Sequence, residues 1–139
     1  MLLHIVARGK IGRSPEAELV ERYLKRIAWP TRVTELSERA ELPALPATSV
    51  SIALDERGTA LSSAELARKL EAWRDGGKRE ARFLIGAAGG HDDAQRDRAD
   101  LLLSFGPATW PHLLVRAMLA EQLFRATTIL ANHPYHREG

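Results

Sequence analysis

The chain has 139 residues, 45% of them hydrophobic and 27% charged, with a formal net charge of +2, which is typical of a single globular domain, here predicted to span residues 1–139. Its apolar stretches are no longer than strands and its N-terminus lacks the pattern of a signal peptide, so we expect neither a membrane span nor a leader. The absence of cysteine excludes disulfides and thiolate metal sites and favours a cytoplasmic location.

Strand and helix signals alternate from the start of the chain. Leu2 to Val6 predict a first strand. Ser14 and Pro15 predict the start of a helix, because serine is a good N-cap and proline suits the first helical position. Arg32 to Leu36 predict a second strand, and the proline-containing segment Ser37 to Thr48 predicts a surface loop.

The second half of the chain continues this alternation. Three further strands are predicted, at Ser49 to Leu54, Arg82 to Ile85 and Leu101 to Leu103. Three further helices are predicted, between Ser62 and Gly76, from His91 to Arg98 and from Pro111 to Leu130. The first of these helices begins with the capping-box pattern of Ser62 and Glu65. This alternation predicts an α/β fold with a mostly parallel sheet flanked by helices.

Ligands of such sheets bind beyond the carboxyl ends of the strands, and three predicted loops lie there. At Leu54 to Gly58 the chain is predicted to turn away from its strand. Gly86 to Gly90 has neither the dinucleotide-binding nor the Walker spacing, so a tight turn explains it equally well. Phe105 to Trp110 offers polar main chain between two aromatic residues, which suits an adenine-like ring, although simple packing of both aromatics also explains it.

The helix that begins at Pro111 carries apolar residues on nearly every side. Such a helix is buried on nearly every side, and one small domain cannot cover it, so we predict a homodimer. Glu121 and Arg125 lie four residues apart and form an ordinary helix ion pair or border a polar cavity at the dimer interface. The tail that follows contains His133, Tyr135 and His136, which are candidate acid–base groups. We predict no metal site there, because no cysteine or carboxylate lies at ligand spacing.

Basic residues occur in two groups that either bind phosphates or form solvated helix faces. These groups are Arg22, Lys25, Arg26 and Arg32, and Arg74, Lys78, Arg79 and Arg82.

Four motifs together resemble the RlmH family, bacterial methyltransferases that modify N3 of a pseudouridine in 23S ribosomal RNA. They are ALDERG (Ala53 to Gly58), FLIG (Phe83 to Gly86), LSFGPATWPHLLVRAMLAEQLFRA (Leu103 to Ala126) and NHPYHRE (Asn132 to Glu138). The resemblance covers essentially the whole chain. It implies a SPOUT fold with a C-terminal trefoil knot, S-adenosylmethionine as the cofactor, a homodimer, and 23S rRNA in the assembled ribosome as substrate and partner.

The resemblance also implies site residues. The cofactor contacts would be Leu54, Gly86, Phe105, Gly106, Pro107, Ala108, Thr109 and Trp110. Arg116, Arg125 and Arg137 are the candidate cations for charge that develops on the pseudouridine carbonyls. Tyr135, His136 and Glu121 are the candidate proton acceptors, the first two preferred because a tail can cross a dimer interface. Packing alone for Tyr135, or an ion pair alone for Arg116, stays open.

The chain departs from the family pattern in two places. The loop Gly86 to Gly90 replaces a Gly-Gly-x-x-Gly pattern, and the segment 37–49 is shorter than usual. Two alternatives therefore stand beside the main hypothesis. One is a catalytically inactive ribosome-binding or RNA-binding module with the same fold, and the other is a SPOUT methyltransferase that acts on another RNA base.

Overall fold

The computed structural model describes residues 1–87 and 90–137. The middle of the predicted glycine-rich loop (Ala88 and Gly89) and the end of the NHPYHRE motif (Glu138) lie outside the described residues, as does Gly139. The elements follow the chain as β1 (Leu2–Arg8), α1 (Pro15–Leu24), β2 (Thr31–Leu36), β3 (Ser49–Ala60), α2 (Ser63–Asp75), β4 (Glu80–Ile85), α3 (Asp93–Arg98), β5 (Leu101–Ser104) and α4 (His112–Leu130).

The strands form one five-stranded sheet in the order β2-β1-β4-β3-β5, and every pair of neighbours is parallel. This confirms the predicted α/β fold with a mostly parallel sheet flanked by helices. Because all strands run in the same direction, all of their carboxyl ends meet at one edge of the sheet. The trefoil knot stays a prediction.

Alternate residues of each strand point to opposite faces of the sheet, and the two faces are covered differently. Leu3, Ile5 and Phe83 belong to the main core, together with apolar residues of α2 and α4. Helix α4 also packs against α1 and α2. The opposite face carries Val6 and Leu84, which are covered by residues from the loop after β2 and from the end of α3.

The helix starts follow from their caps. The Ser14 hydroxyl accepts a hydrogen bond from the amide of Ala17, with Pro15 in the first turn of α1. Ser62 and Glu65 form both hydrogen bonds of the predicted capping box at the start of α2. These side chains satisfy amide groups that would otherwise lack partners, which confirms both predicted starts.

The predicted turn at Asp55 to Gly58 is wrong, because β3 continues to Ala60. The pairing of β3 with β5 shifts register between Leu54 and Thr59, so the charged residues occupy a bulge rather than a turn. The backbone of Gly58 lies against β5, and a Cβ added there would be 2.5 Å from the carbonyl oxygen of Leu102. Only glycine allows this close approach of two backbones.

We expect the Gly58→Ala substitution to lower the free energy of unfolding by about 2–3 kcal/mol, since neither backbone can move away without breaking the β3–β5 ladder. Urea denaturation measures this change. The matched control is Gly77→Ala, where φ is +93° but nothing lies within 4 Å of the added Cβ. There we expect about 1 kcal/mol, the cost of the backbone conformation alone. Equal losses in the two variants would contradict the close approach at Gly58.

No helix in the described part of the chain is long and apolar enough to span a bilayer.

Candidate active site

A cavity of about 540 Å³ lies where the carboxyl ends of β4 and β5 meet the bulge of β3. Its walls begin with Leu54 at the bulge of β3, Ile85 at the end of β4 and Leu103 near the end of β5, and it reaches His112 and Val115 at the start of α4. The volume falls in the range of small-molecule sites, and the position is the one expected for ligands of parallel sheets.

The cavity brings together nearly all of the predicted cofactor contacts. Those that line it are Leu54, Gly86, Phe105, Gly106, Ala108, Thr109 and Trp110. Pro107 belongs to the same loop but is not among the lining residues. The loops after β4 and β5 and the bulge of β3 therefore converge on one space.

The loop from Phe105 to Trp110 is fixed by hydrogen bonds at both ends. The hydroxyl of Ser104 accepts from the Gly106 amide at 3.0 Å and donates to the Gly106 carbonyl at 2.9 Å. Gly106 has a φ of +106°, a conformation in which glycine is strongly favoured. Farther along, the hydroxyl of Thr109 donates to the carboxylate of Glu56 at 2.8 Å. Hydrogen bonds within the protein therefore fix the conformation of this loop.

Gly86 permits the return of the glycine-rich loop. A Cβ at this position would lie 2.8 Å from the carbonyl carbon of Gly90. Ala87 and Gly90 form an antiparallel bridge that closes the described part of this loop. Close contact between the two backbones therefore explains the glycine at position 86, and a φ of +77° explains the glycine at position 90.

An ion pair that sequence reasoning missed lies in the cavity wall. Arg96 of α3 donates from Nε to Asp55 Oδ2 at 2.6 Å, and the Asp55 side chain is only 5% exposed. Burial raises the pKa of Asp55, but the hydrogen bond and charge of Arg96 outweigh it and hold that pKa below its usual value. Asp55 directly follows a predicted contact and could have been found, whereas nothing in the short polar helix marks Arg96.

A second group of predicted residues meets at the C-terminal half of α4, and we call Glu121, Arg125, Tyr135 and His136 the tail cluster. Arg125 binds the carboxylate of Glu121 through Nε at 2.8 Å and Nη2 at 2.6 Å. The phenol of Tyr135 donates to Glu121 at 3.2 Å. Arg125 also donates to Nδ1 of His136 at 3.2 Å, since arginine has no acceptor.

Electrostatics assign protonation states within the tail cluster. Burial, together with the charge of Glu121 and the hydrogen bond to it, raises the pKa of Tyr135. The hydrogen bond to Glu121 likewise raises the pKa of Arg125. At neutral pH Tyr135 is therefore a neutral phenol that donates a hydrogen bond, and Arg125 is a cation. The Tyr135 ring packs against Phe124, with 4.6 Å between ring centroids, which holds the tail in place.

Of the two remaining predicted cations, Arg116 lies apart from the tail cluster and Arg137 directly follows it in the chain. Arg116 has a side chain that is 1% exposed, and it binds the carboxylate of Glu35 and the carbonyl of Gly9. The hydrogen bond from Arg116 lowers the pKa of Glu35, so this carboxylate is charged at neutral pH. Arg137 is exposed at the end of the described chain.

The cavity and the tail cluster occupy different ends of α4. The cavity contacts α4 at Val115 and before it, whereas the tail cluster includes Glu121 and Arg125. At 1.5 Å per residue, Val115 and Arg125 are separated by roughly 15 Å along the helix. Within one chain, the predicted catalytic residues do not border the cavity.

In the described residues, no group of three or more His, Asp or Glu side chains is placed to hold a metal ion.

Comparison with known proteins places this geometry in context. The family model described as "Predicted SPOUT methyltransferase" matches residues 1–136. The chain is 66% identical to "Ribosomal RNA large subunit methyltransferase H" of Rhizorhabdus wittichii and 64% identical to the protein of that name from Novosphingobium aromaticivorans, with 100% of both chains covered in each case.

Two solved structures are also similar. A probable methylase family protein from Haemophilus influenzae has a TM-score of 0.59 at 14% identity, with 94% of this chain and 66% of that chain covered. A probable methyltransferase from Bordetella pertussis has a TM-score of 0.55 at 13% identity, with 91% and 95% covered. At these identities the likeness concerns the fold alone.

Proposed function

The chain belongs to the SPOUT methyltransferase family, and from this premise we propose that it methylates N3 of a pseudouridine in 23S ribosomal RNA with S-adenosylmethionine as the methyl donor. Relatives at 66% and 64% identity over their full length carry the name of a large-subunit ribosomal RNA methyltransferase. The observation that carries the proposal is that one cavity, beside the ends of β4 and β5, gathers seven of the eight cofactor contacts that the resemblance implies.

The residues of this cavity fit the cofactor chemically. Leu54, Ile85 and Leu103 give apolar walls for an adenine ring, and the shaped loop beyond β5 offers polar main chain. Asp55 and Glu56 supply carboxylates that suit hydroxyl and ammonium groups. The bound cofactor supplies a methyl group already activated by the sulfonium, so the protein mainly binds, aligns and excludes water.

The half-exposed side of α4 supports a homodimer. Every residue of α4 is buried or half-buried, and Leu114, Met118, Glu121 and Arg125 lie on one half-buried stripe at helical spacing. In a dimer with two-fold symmetry, a second copy would cover this stripe, and its α4 would run in a different direction from the α4 of the first copy. The tail cluster of one copy can then approach the cavity of the other, which removes the separation found within one chain.

The tail cluster provides a path for the proton of N3. Because Tyr135 donates to Glu121, the phenol oxygen can accept the N3 proton while its own proton passes to the carboxylate. Arg125 stays bound to Glu121 and faces the Tyr135 ring at 4.8 Å, where it can stabilise negative charge on the pseudouridine ring. Nδ1 of His136 accepts a further hydrogen bond from Arg125.

The reaction is tested by transfer of labelled methyl from S-adenosylmethionine to ribosomes that lack the mark, with free 23S RNA alongside. We expect label at N3 of a pseudouridine on ribosomes and little on free RNA, since so small a protein has little surface for reading sequence. Label on another base would support the alternative substrate. Ribosome binding without any transfer would refute the methyltransferase and support the inactive binding module.

The shared site is tested with purified heterodimers. One copy carries Tyr135→Phe, and the other carries Gly106→Val, which is strained at a φ of +106° and narrows the cavity. If the tail of one copy serves the cavity of the other, one of the two sites stays intact, and we expect about half of the wild-type rate. If the tail of each chain instead serves the cavity of the same chain, each of the two sites carries one damaging substitution. The heterodimer is then no more active than the homodimers of the two variants.

A further inference from the structure

The basic groups singled out in the sequence lie mostly at the wrong edge of the sheet for the reacting base. Lys25 and Arg26 precede β2, and Lys78 and Arg79 precede β4, so these residues lie near the amino ends of the strands. Arg82 is 7% exposed and bound to Glu80. A strand of this sheet separates the two edges by roughly 20 Å, and the cavity is at the carboxyl edge.

The loop between β1 and α1, residues 9–13, lies at the cavity edge. Lys10 and Arg13 are both exposed there. A Cβ added to Gly9 would be 3.9 Å from Nε2 of His112, and His112 lines the cavity. The loop that carries these two exposed cations therefore approaches the proposed cofactor site at Gly9.

Hydrogen bonds with the buried Arg116 and with Glu35 hold the backbone of this exposed loop. Arg116 donates from Nη2 to the Gly9 carbonyl at 3.1 Å, and from Nη1 to Glu35. The same carboxylate accepts the Ile11 amide at 2.8 Å. A buried arginine is costly unless it is paired, and here its partners are the loop itself and the residue that binds the loop. The contacts restrict the backbone on both sides of Lys10.

We propose that the loop of residues 9–13 is a phosphate clamp, in which Lys10 and Arg13 bind the RNA backbone next to the reacting base. Arg116 and Glu35 are its positioning residues. Lysine offers a point charge and arginine a planar fork, and both suit phosphate oxygens. The inference rests on the proposed RNA methyltransferase function and assigns Arg116 to the loop rather than to the reacting base.

The clamp is tested with the double variant K10E/R13E and with ribosomes that lack the mark as the probe. We expect the KM for ribosomes and the Kd from filter binding to rise at least about ten-fold at 0.1 M salt, with the salt slope flatter by about 2, one for each lost phosphate contact. The Kd for S-adenosylmethionine and the kcat should change less than about two-fold, because neither side chain lines the cavity. Thermal unfolding checks that K10E/R13E folds.

The rival case is K78E/R79E, which makes the same change of charge at the opposite edge of the sheet. A larger rise in the ribosome Kd there than in K10E/R13E would overturn the clamp, as would an unchanged Kd in K10E/R13E. Filter binding needs no methyl transfer. A wild-type protein that binds ribosomes but never methylates them would therefore refute the proposed activity, while the clamp is still judged by the Kd.

The positioning role is tested at Glu35. Glu35→Gln keeps an acceptor for the Ile11 amide and for Arg116, whereas Glu35→Ala removes it. We expect Glu35→Ala to raise the ribosome KM about three-fold or more with kcat preserved, and Glu35→Gln to restore most of it. A fall in kcat at constant KM would instead place Arg116 at the chemistry and refute its role in the loop.

Discussion

Replacement of Glu121 by glutamine is expected to lower kcat for methyl transfer about 100-fold, the usual size of a lost general acid–base contribution. Glu121 is the residue on which the tail cluster converges, since it binds Arg125 through two nitrogens and accepts the Tyr135 hydroxyl. Glutamine keeps the size of the side chain but cannot take up a proton. The cofactor Kd should stay within about two-fold, because Glu121 is assigned to proton transfer and is not among the residues that line the cavity.

The matched control is Glu21→Gln, the same change in an exposed ion pair four residues apart, with Lys25. There we expect no change in kcat, because exposed pairs contribute little. Tyr135→Phe removes the phenol hydroxyl that links the pseudouridine to Glu121, and we expect kcat to fall about ten-fold or more. Single-turnover methyl transfer at saturating ribosomes measures all three variants. A Glu121→Gln variant that matched the wild-type rate would refute the proton path.

Replacement of Glu80 by alanine is expected to lower the free energy of unfolding by about 3–5 kcal/mol, since one carboxylate serves two buried partners. Its Oε2 lies 3.0 Å from Nδ1 of His4 and accepts from Nε of Arg82 at 2.9 Å. These side chains are 5% and 7% exposed. The Glu80→Ala variant would therefore leave the guanidinium of Arg82 buried without its carboxylate partner.

Urea denaturation at pH 7 measures this loss, and Glu80→Gln separates charge from hydrogen bonding. Glutamine keeps one hydrogen-bond acceptor at this position, so we expect Glu80→Gln to lower the free energy of unfolding less than Glu80→Ala does. Arg82 also donates to the carbonyls of Pro43 and Ala44, so we expect the loop after β2 to become sensitive to proteases in the alanine variant. A loss below about 1 kcal/mol would show that the network adds little to stability.

The same carboxylate makes stability depend on pH. Burial raises the pKa of Glu80, but the hydrogen bonds from His4 and Arg82 and their charges outweigh it and leave that pKa below the ordinary value of 4.5. The stabilisation is therefore complete above pH 4.5 and is lost as the pH falls through the lower folded-state pKa. We expect the difference in the free energy of unfolding between wild type and Glu80→Gln to become smaller as the pH falls, as measured by urea denaturation from pH 7 downwards. A difference that became larger would contradict the sign of the shift.

Local signals in the sequence were enough to determine the order of strands and helices. Ser14 and Ser62 cap helices because their side chains bond to amides within the same turn, and such contacts need no distant partner. The apolar segments around Ile5, Ile52 and Phe83 became buried strands for the same reason, since alternation and residue type are local properties. The cavity loops followed, because parallel strands must end at one edge.

Only the tertiary structure decided what depends on residues far apart in the chain. The segment Asp55 to Gly58 looks like a turn, but β5 lies against it and keeps it extended. Arg96 enters the cavity wall because α3 packs beside β3, and Arg116 reaches the loop at Gly9 because α4 packs against α1.

The separation of cavity and tail cluster was equally invisible in the motifs. The cavity loop from Phe105 to Trp110 is close in sequence to the tail cluster, but the rigid helix α4 holds the two apart. The sequence by itself therefore determined the type of each element and the membership of each motif, because these depend on neighbours along the chain. The packing of elements decided which charges meet and which ends of a helix face a common site, because those contacts join residues that the chain keeps apart.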